Sequence, residues 1–158
     1  MANIYLSSTL LWNGSMEEIF DMVFQSGLDG IELWSQQFFY RKFDIDEFEK
    51  LAALYPLKNC IHSQSWDLNI SSVNDGIRKQ SVTEVKKSVE LAYQLGLDEV
   101  TVHPGHCTIS GIGVSYGAYL KESLREILEY AQKWKIDVSL EIMEKIPREF
   151  VTTMDAMK

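Results

Sequence analysis

The sequence predicts an α/β protein of the (β/α) barrel type, broken off after about five βα units, and three observations predict it. First, short β-type runs alternate with longer amphipathic helical runs along all 158 residues, a pattern that gives parallel strands joined by right-handed crossovers. Second, four successive strand candidates are apolar in one alternating phase and polar in the other. A parallel strand covered by helices on both faces would be apolar in both phases, so a barrel is favoured over a doubly wound sheet. Third, a closed barrel has eight strands and about 250 residues. Residues 1–158 are therefore expected to be the N-terminal part of a single barrel domain, with strands six to eight absent.

The strand candidates are Ile4 to Ser8, Gly30 to Trp34, Asn59 to His62, Glu99 to His103 and Val138 to Ile142, each short and rich in β-branched or aliphatic residues. Ile31, Leu33, Ile61, Val100, Val102, Val138 and Leu140 share the apolar phase, expected to face the helices. Glu32, Trp34, Cys60, His62, Thr101, His103, Ser139 and Glu141 share the other. That phase points into the barrel, with its last members at the C-terminal rim where barrel active sites sit.

The first helix opens with Ser15 and Glu18 in capping-box spacing, carries Met16, Ile19, Phe20, Val23 and Phe24 on one face and stops near Gly27. A second runs from Asp44 or Asp46 to Tyr55, with Phe48, Leu51, Ala52 and Leu54 apolar and Pro56 opposing continuation. The third carries Val82, Val85, Val89, Ala92 and Leu95 before Gly96. The fourth carries Leu120, Leu124, Ile127, Leu128, Ala131 and Trp134, and a fifth is expected to begin after Pro147. Gly27-Leu28-Asp29 before strand two echoes Gly96-Leu97-Asp98 before strand four. The segment from Gly105 to Gly117 holds four glycines, Gly105, Gly111, Gly113 and Gly117. It lacks both the Walker A lysine and the full dinucleotide fingerprint, and reads as a mobile βα loop over a site.

Composition narrows the function. With 46% hydrophobic residues the chain has enough apolar material for one core. Its 23 acidic against 15 basic residues give a formal charge of −8, which offers no net positive field to a polyanion and argues against nucleic acid as a partner. The N-terminus has no signal-peptide pattern, and no stretch approaches the roughly 20 apolar residues of a membrane span. A soluble, cytoplasmic protein is expected. Cys60 and Cys107 fit neither a CxxC clamp nor a disulfide scaffold and are expected to be buried free thiols.

His62, His103 and Glu141 are the candidate metal ligands: two imidazoles and a carboxylate suit a borderline or hard divalent ion. They close strands three, four and five, and neighbouring strands lie about 4.8 Å apart, so side chains at equal heights can converge on one ion. Glu32, Trp34, Trp66 and His106 are the candidate substrate contacts, although Glu32 also suits a structural buried carboxylate and Trp34 a filler of the barrel mouth.

The run Ile61-His62-Ser63-Gln64-Ser65-Trp66-Asp67-Leu68-Asn69, then Val102-His103-Pro104-Gly105-His106, then Ser139-Leu140-Glu141, resembles the xylose isomerase-like TIM barrel superfamily, which includes sugar phosphate isomerases/epimerases and the endonuclease IV-like family. In those proteins a His ends strand three, a His-Pro-Gly ends strand four and a Glu ends strand five. The resemblance implies a divalent metal ion, Mn, Mg, Co or Zn, on His62, His103 and Glu141, with the remaining ligands on strands six to eight. It also implies that Glu141 is an acid/base as well as a ligand. Three readings follow: a metal-dependent sugar or sugar-phosphate isomerase or epimerase; an endonuclease IV-like metal phosphodiesterase acting on abasic DNA; and a non-catalytic barrel remnant. The expected partners are a small-molecule sugar or sugar phosphate and, because strands one and five would be open edges, a homo-oligomeric copy. The isolated 158-residue chain is expected to be inactive.

Overall fold

The structure, a computed structural model, describes residues 3–109 and 115–157. Five strands, β1 (Tyr5–Ser7), β2 (Gly30–Trp34), β3 (Lys58–His62), β4 (Glu99–Val102) and β5 (Asp137–Leu140), form one sheet in the order β1-β2-β3-β4-β5. Every neighbouring pair is parallel. A doubly wound sheet reverses direction at a switch point; this one runs through without reversal, as a barrel wall does. Helices α1 (Met16–Gln25), α2 (Ser35–Arg41), α3 (Ile45–Leu54), α4 (Asp75–Gln94) and α5 (Tyr116–Trp134) fill the crossovers. None of the described helices is long and apolar enough to cross a membrane.

Strand phase sorts the two faces as the sequence predicts. Ile31, Leu33, Ile61, Val100 and Val102 are fully buried in a core that also holds Ile19, Phe20, Phe48, Val85, Val89 and Ile127. In the opposite phase Glu32, Trp34, Cys60 and Thr101 are half-buried and Ser139 is exposed. His62 is the exception, being buried within the polar phase.

Local chemistry fixes the helix starts. The Glu18 amide donates to Ser15 Oγ at 3.2 Å and the Ser15 amide to Glu18 Oε2 at 2.7 Å, closing the capping box of α1. Asp44, rather than Asp46, caps α3 through the Glu47 amide. Asn74 caps α4 two turns before the apolar pattern begins. Three residues assigned to apolar faces point outward: Phe24, Leu54 and Leu128 are 49%, 71% and 49% exposed. Each lies at the margin of its helix's apolar stripe, beyond the arc that the sheet covers, and Phe24 meets Tyr55 edge-on instead.

The Gly-Leu-Asp echo is structural. Gly27 and Gly96 both end a helix in the left-handed region, at φ +67° and +68°. Beyond them the Asp29 and Asp98 carbonyls accept from the first amide of the next strand, Lys58 at 3.0 Å and Asp137 at 2.7 Å. Lys135 repeats the helix stop at φ +57° without a glycine.

Two expectations fail. The sequence reading missed α2, whose Phe38, Phe39 and Tyr40 are contiguous rather than spaced at helical period. The helix expected after Pro147 does not form. Its amides and carbonyls are committed elsewhere: Met143 N donates to the Val151 carbonyl and Cys107 N to the Arg148 carbonyl. Val151 is thereby buried, and only a 3-10 turn, Met154–Met157, follows.

Candidate metal centre

The ends of β3, β4 and β5 bring His62, His103 and Glu141 together, their ligand atoms all within 4.8 Å of one another. His103 Nε2 lies 2.7 Å and His62 Nε2 3.3 Å from the same oxygen, Glu141 Oε2. The three do not sit at one height, as the sequence reading supposed. His62 pairs in register with Thr101, one inward-facing step below His103. Glu141 prolongs the ladder, its amide donating to the Val102 carbonyl. Strand stagger in a barrel wall brings the deeper ring within reach of the shallower pair.

His62 is the most constrained of the three. Its ring stacks on Trp34 at 3.9 Å and 3°, and its Nδ1 lies 2.8 Å from the Ser63 carbonyl. Its own carbonyl accepts from Ser35 Oγ. Nδ1–H therefore donates to the backbone, which leaves the lone pair of a neutral ring on Nε2, aimed at the carboxylate. A lone pair facing an anion is unfavourable unless a proton or a cation lies between them. Two imidazoles and one carboxylate so disposed fit a divalent transition ion.

His103 stands edge-on to His62 at 4.8 Å and 83° and is more open. Its side chain is 30% exposed and that of Glu141 39%, against 2% for His62. The His103 hydrogen bond, then that of His62, holds the Glu141 carboxyl well below its ordinary value, at about 2, against the opposing effect of burial. Glu141 is accordingly an anion throughout the neutral range, the state that a metal ligand requires.

The loop after His103 is fixed by Asn69. Asn69 Oδ1 accepts from the amides of Ser71 at 3.0 Å and His106 at 3.2 Å, while its Nδ2 donates to the His106 carbonyl at 2.9 Å. Ser71 Oγ donates to the Pro104 carbonyl. Gly105, at φ +79°, passes so close that a Cβ there would lie 2.3 Å from Asn69 Oδ1. The glycine of the His-Pro-Gly run is thus required by backbone conformation and close approach together.

A cavity of about 780 Å³ opens beside the centre, lined by His103, His106, Trp66, Asn69, Arg148 and Glu149 among others. Of the predicted substrate contacts, Trp66 and His106 line it. Trp34 backs His62 instead. Glu32 is half-buried deeper in the wall, paired with Cys60. Arg148, Glu149 and the clamp role of Asn69 escaped the sequence reading; the first two lay in the expected helix, and nothing in the sequence signals the last. Of the four glycines singled out, Gly105 and Gly117 are described, whereas Gly111 and Gly113 lie outside the described residues. Both cysteines are free and half-buried.

The family model of the xylose isomerase-like TIM barrel matches residues 20–158. An uncharacterized protein of Methanocaldococcus jannaschii is 30% identical over 154 residues, 94% of this chain and 57% of that protein. Among solved structures, a D-tagatose 3-epimerase-like protein superposes with a TM-score of 0.80 at 23% identity, over 99% of this chain and 58% of its own. An L-ribulose 3-epimerase does so at 0.77 and 20% identity, over 99% and 55%. The IOLI protein, solved with a bound zinc atom, does so at 0.68 and 16%, over 88% and 51%. The chain thus spans between about half and three-fifths of the length of these relatives. With its strand order, its one-sided polar phase and this match over nearly its whole length, the chain belongs to the xylose isomerase-like TIM barrel family.

Proposed function

We propose that this chain carries the metal-binding wall of a divalent metal-dependent sugar or sugar-phosphate isomerase or epimerase, as the N-terminal five βα units of a larger barrel domain. The observation that carries the reading is the convergence of His62 Nε2, His103 Nε2 and Glu141 Oε2, with the His62 tautomer set by the Ser63 carbonyl. Superposition on sugar 3-epimerases and on a zinc-containing relative supports the substrate class and the metal.

His62, His103 and Glu141 would hold the ion. A divalent cation there supplies Lewis acidity, polarising a ketose carbonyl and acidifying the adjacent C–H. Trp34 and the Ser63 carbonyl keep His62 from turning. His106 and Trp66 bound the cavity into which a sugar would lie. Glu141 engages both histidines through Oε2, leaving Oε1 as the oxygen able to exchange a proton with the substrate. Its depressed pKa makes it a firm ligand and a weak base, so proton abstraction falls more naturally to a second group.

The test is equilibrium binding of Mn, Co, Zn and Mg by calorimetry, followed by incubation with ketoses in D₂O. Metal-dependent deuterium incorporation beside the carbonyl is expected, and lost in His103→Ala and Glu141→Gln. Metal binding by the wild type that survives both substitutions would sink the proposal, as would full exchange after chelation.

A further inference from the structure

A second cleft, of about 610 Å³, lies outward from the metal centre and is lined by Trp12, Gln36, Phe39, Tyr40, Gln64 and Trp66. No charged side chain lines it. Its aromatic rings form a continuous file: Trp34, stacked on His62, is 5.8 Å from Trp66, which is 4.6 Å from Trp12, which is 5.6 Å from Tyr40. Phe39, Tyr40 and Trp66 are 41%, 73% and 46% exposed. Solvent-facing aromatics grouped in this way mark a binding surface more often than an accident of packing.

The polar groups narrow the ligand. Gln36 Oε1 is taken by the amides of Ser65 and Trp66, and Gln64 Nε2 by Glu84. One amide NH₂, on Gln36, and one amide carbonyl, on Gln64, remain without a partner among the described residues. Each amide has this capacity by its chemistry. The cleft therefore offers flat apolar faces, one donor and one acceptor, and no charge. Those features suit a neutral ring with an apolar C–H face and hydroxyls at its edge. They disfavour a phosphate, which would meet no cation.

Gln64 and Trp66 also line the larger cavity that contains His103, so the two cavities share a wall. We propose that the outer cleft binds a neutral sugar ring, the distal residue of a glycoside whose other end reaches the metal centre. The position of that other end rests on the isomerase reading above; the cleft's preference for a sugar ring does not.

Calorimetry on the metal-loaded protein tests this with three probes: D-fructose, the glucosyl-fructose disaccharide isomaltulose, and methyl α-D-glucoside. Isomaltulose is expected to bind at least about tenfold more tightly than fructose. Tyr40→Ala and Trp12→Ala, made separately, are expected to remove at least about fivefold of that gain and to abolish methyl glucoside binding. Fructose and metal affinity should stay unchanged, which also shows that each variant is folded. Equal affinity for isomaltulose and fructose, with no methyl glucoside binding, overturns the proposal. So does self-association that Tyr40→Ala abolishes without any heat from sugars, because the aromatics would then form a protein contact. Methyl glucoside binding that depends on Tyr40, with no fructose binding at all, keeps the cleft and rejects the isomerase reading.

Discussion

His62 and His103 are held to different degrees, and this sets what each substitution costs. The His62 ring is sandwiched against Trp34 and bonded to the Ser63 carbonyl, so orientation is prepaid and its loss is felt by the metal. Trp34→Leu keeps apolar volume but removes the stack; a fall of about 10- to 100-fold in metal affinity is expected by calorimetry, the range for losing a group that orients a ligand. Unchanged affinity would reduce Trp34 to a filler. The thiols follow from the same environment. Burial, then the Glu32 and Glu99 carboxylates, pushes Cys60 up to about 12, and burial with Glu149 raises Cys107. A raised pKa means less thiolate at any given pH. At pH 8 Cys60 is therefore expected to react with iodoacetamide at least about a hundredfold more slowly than a free cysteine, and to react fully after denaturation. Rapid modification of the folded protein, located by peptide mass, would contradict this.

At the level of elements, the left-handed positions divide by what surrounds them. A methyl group added to Gly27, at φ +67°, would meet open space, whereas one added to Gly105, at φ +79°, would not. Gly27→Ala should cost about 1 kcal/mol, from conformation alone. Gly105→Ala adds a clash with Asn69 and Ser71, and should cost at least about 2 kcal/mol by urea unfolding. Equal costs would mean that the loop yields freely. Lys135→Gly is expected to stabilise, raising Tm by about 2–4 °C for each kcal/mol gained, because the helix stop already demands the left-handed region. This is also the scale at which the sequence was most legible. Strand phase located the buried face and the inward residues because period-2 alternation survives in isolation, and the Ser15–Glu18 cap was readable because it is local. Helix α2 was hidden because seven residues give no period, and the region after Pro147 because its partners, Cys107 and Met143, are distant or out of pattern. The Asn69 clamp was invisible for the same reason: it acts across 37 positions on a backbone, where side-chain chemistry leaves no trace.

For the whole molecule, the decisive feature is the free flank of the sheet. In a parallel pair both backbone groups of a residue point to one side. Asp137 and Glu141 turn theirs to β4, leaving those of Val138 and Leu140 facing outward, where the sheet has no further strand among the described residues. If the five units stand alone, the Val138 and Leu140 amides should exchange with deuterium at least about a hundredfold faster than those in β3, since an unpaired edge is protected neither by bonding nor by burial. Slow exchange at both would show that another strand covers the edge, in the same chain or from another copy.

Three of the four tryptophans, Trp12, Trp34 and Trp66, stand in one file at the mouth, and the remaining one, Trp134, packs with Tyr93 and Tyr130 on the outer helical layer. Ultraviolet emission from this chain is therefore chiefly an optical signal of its mouth. A paramagnetic ion seated beside His62 would lie next to the Trp34 indole and darken it, whereas a closed-shell ion would leave it bright. The same protein would thus report, without an added label, both that its centre has filled and with which kind of metal.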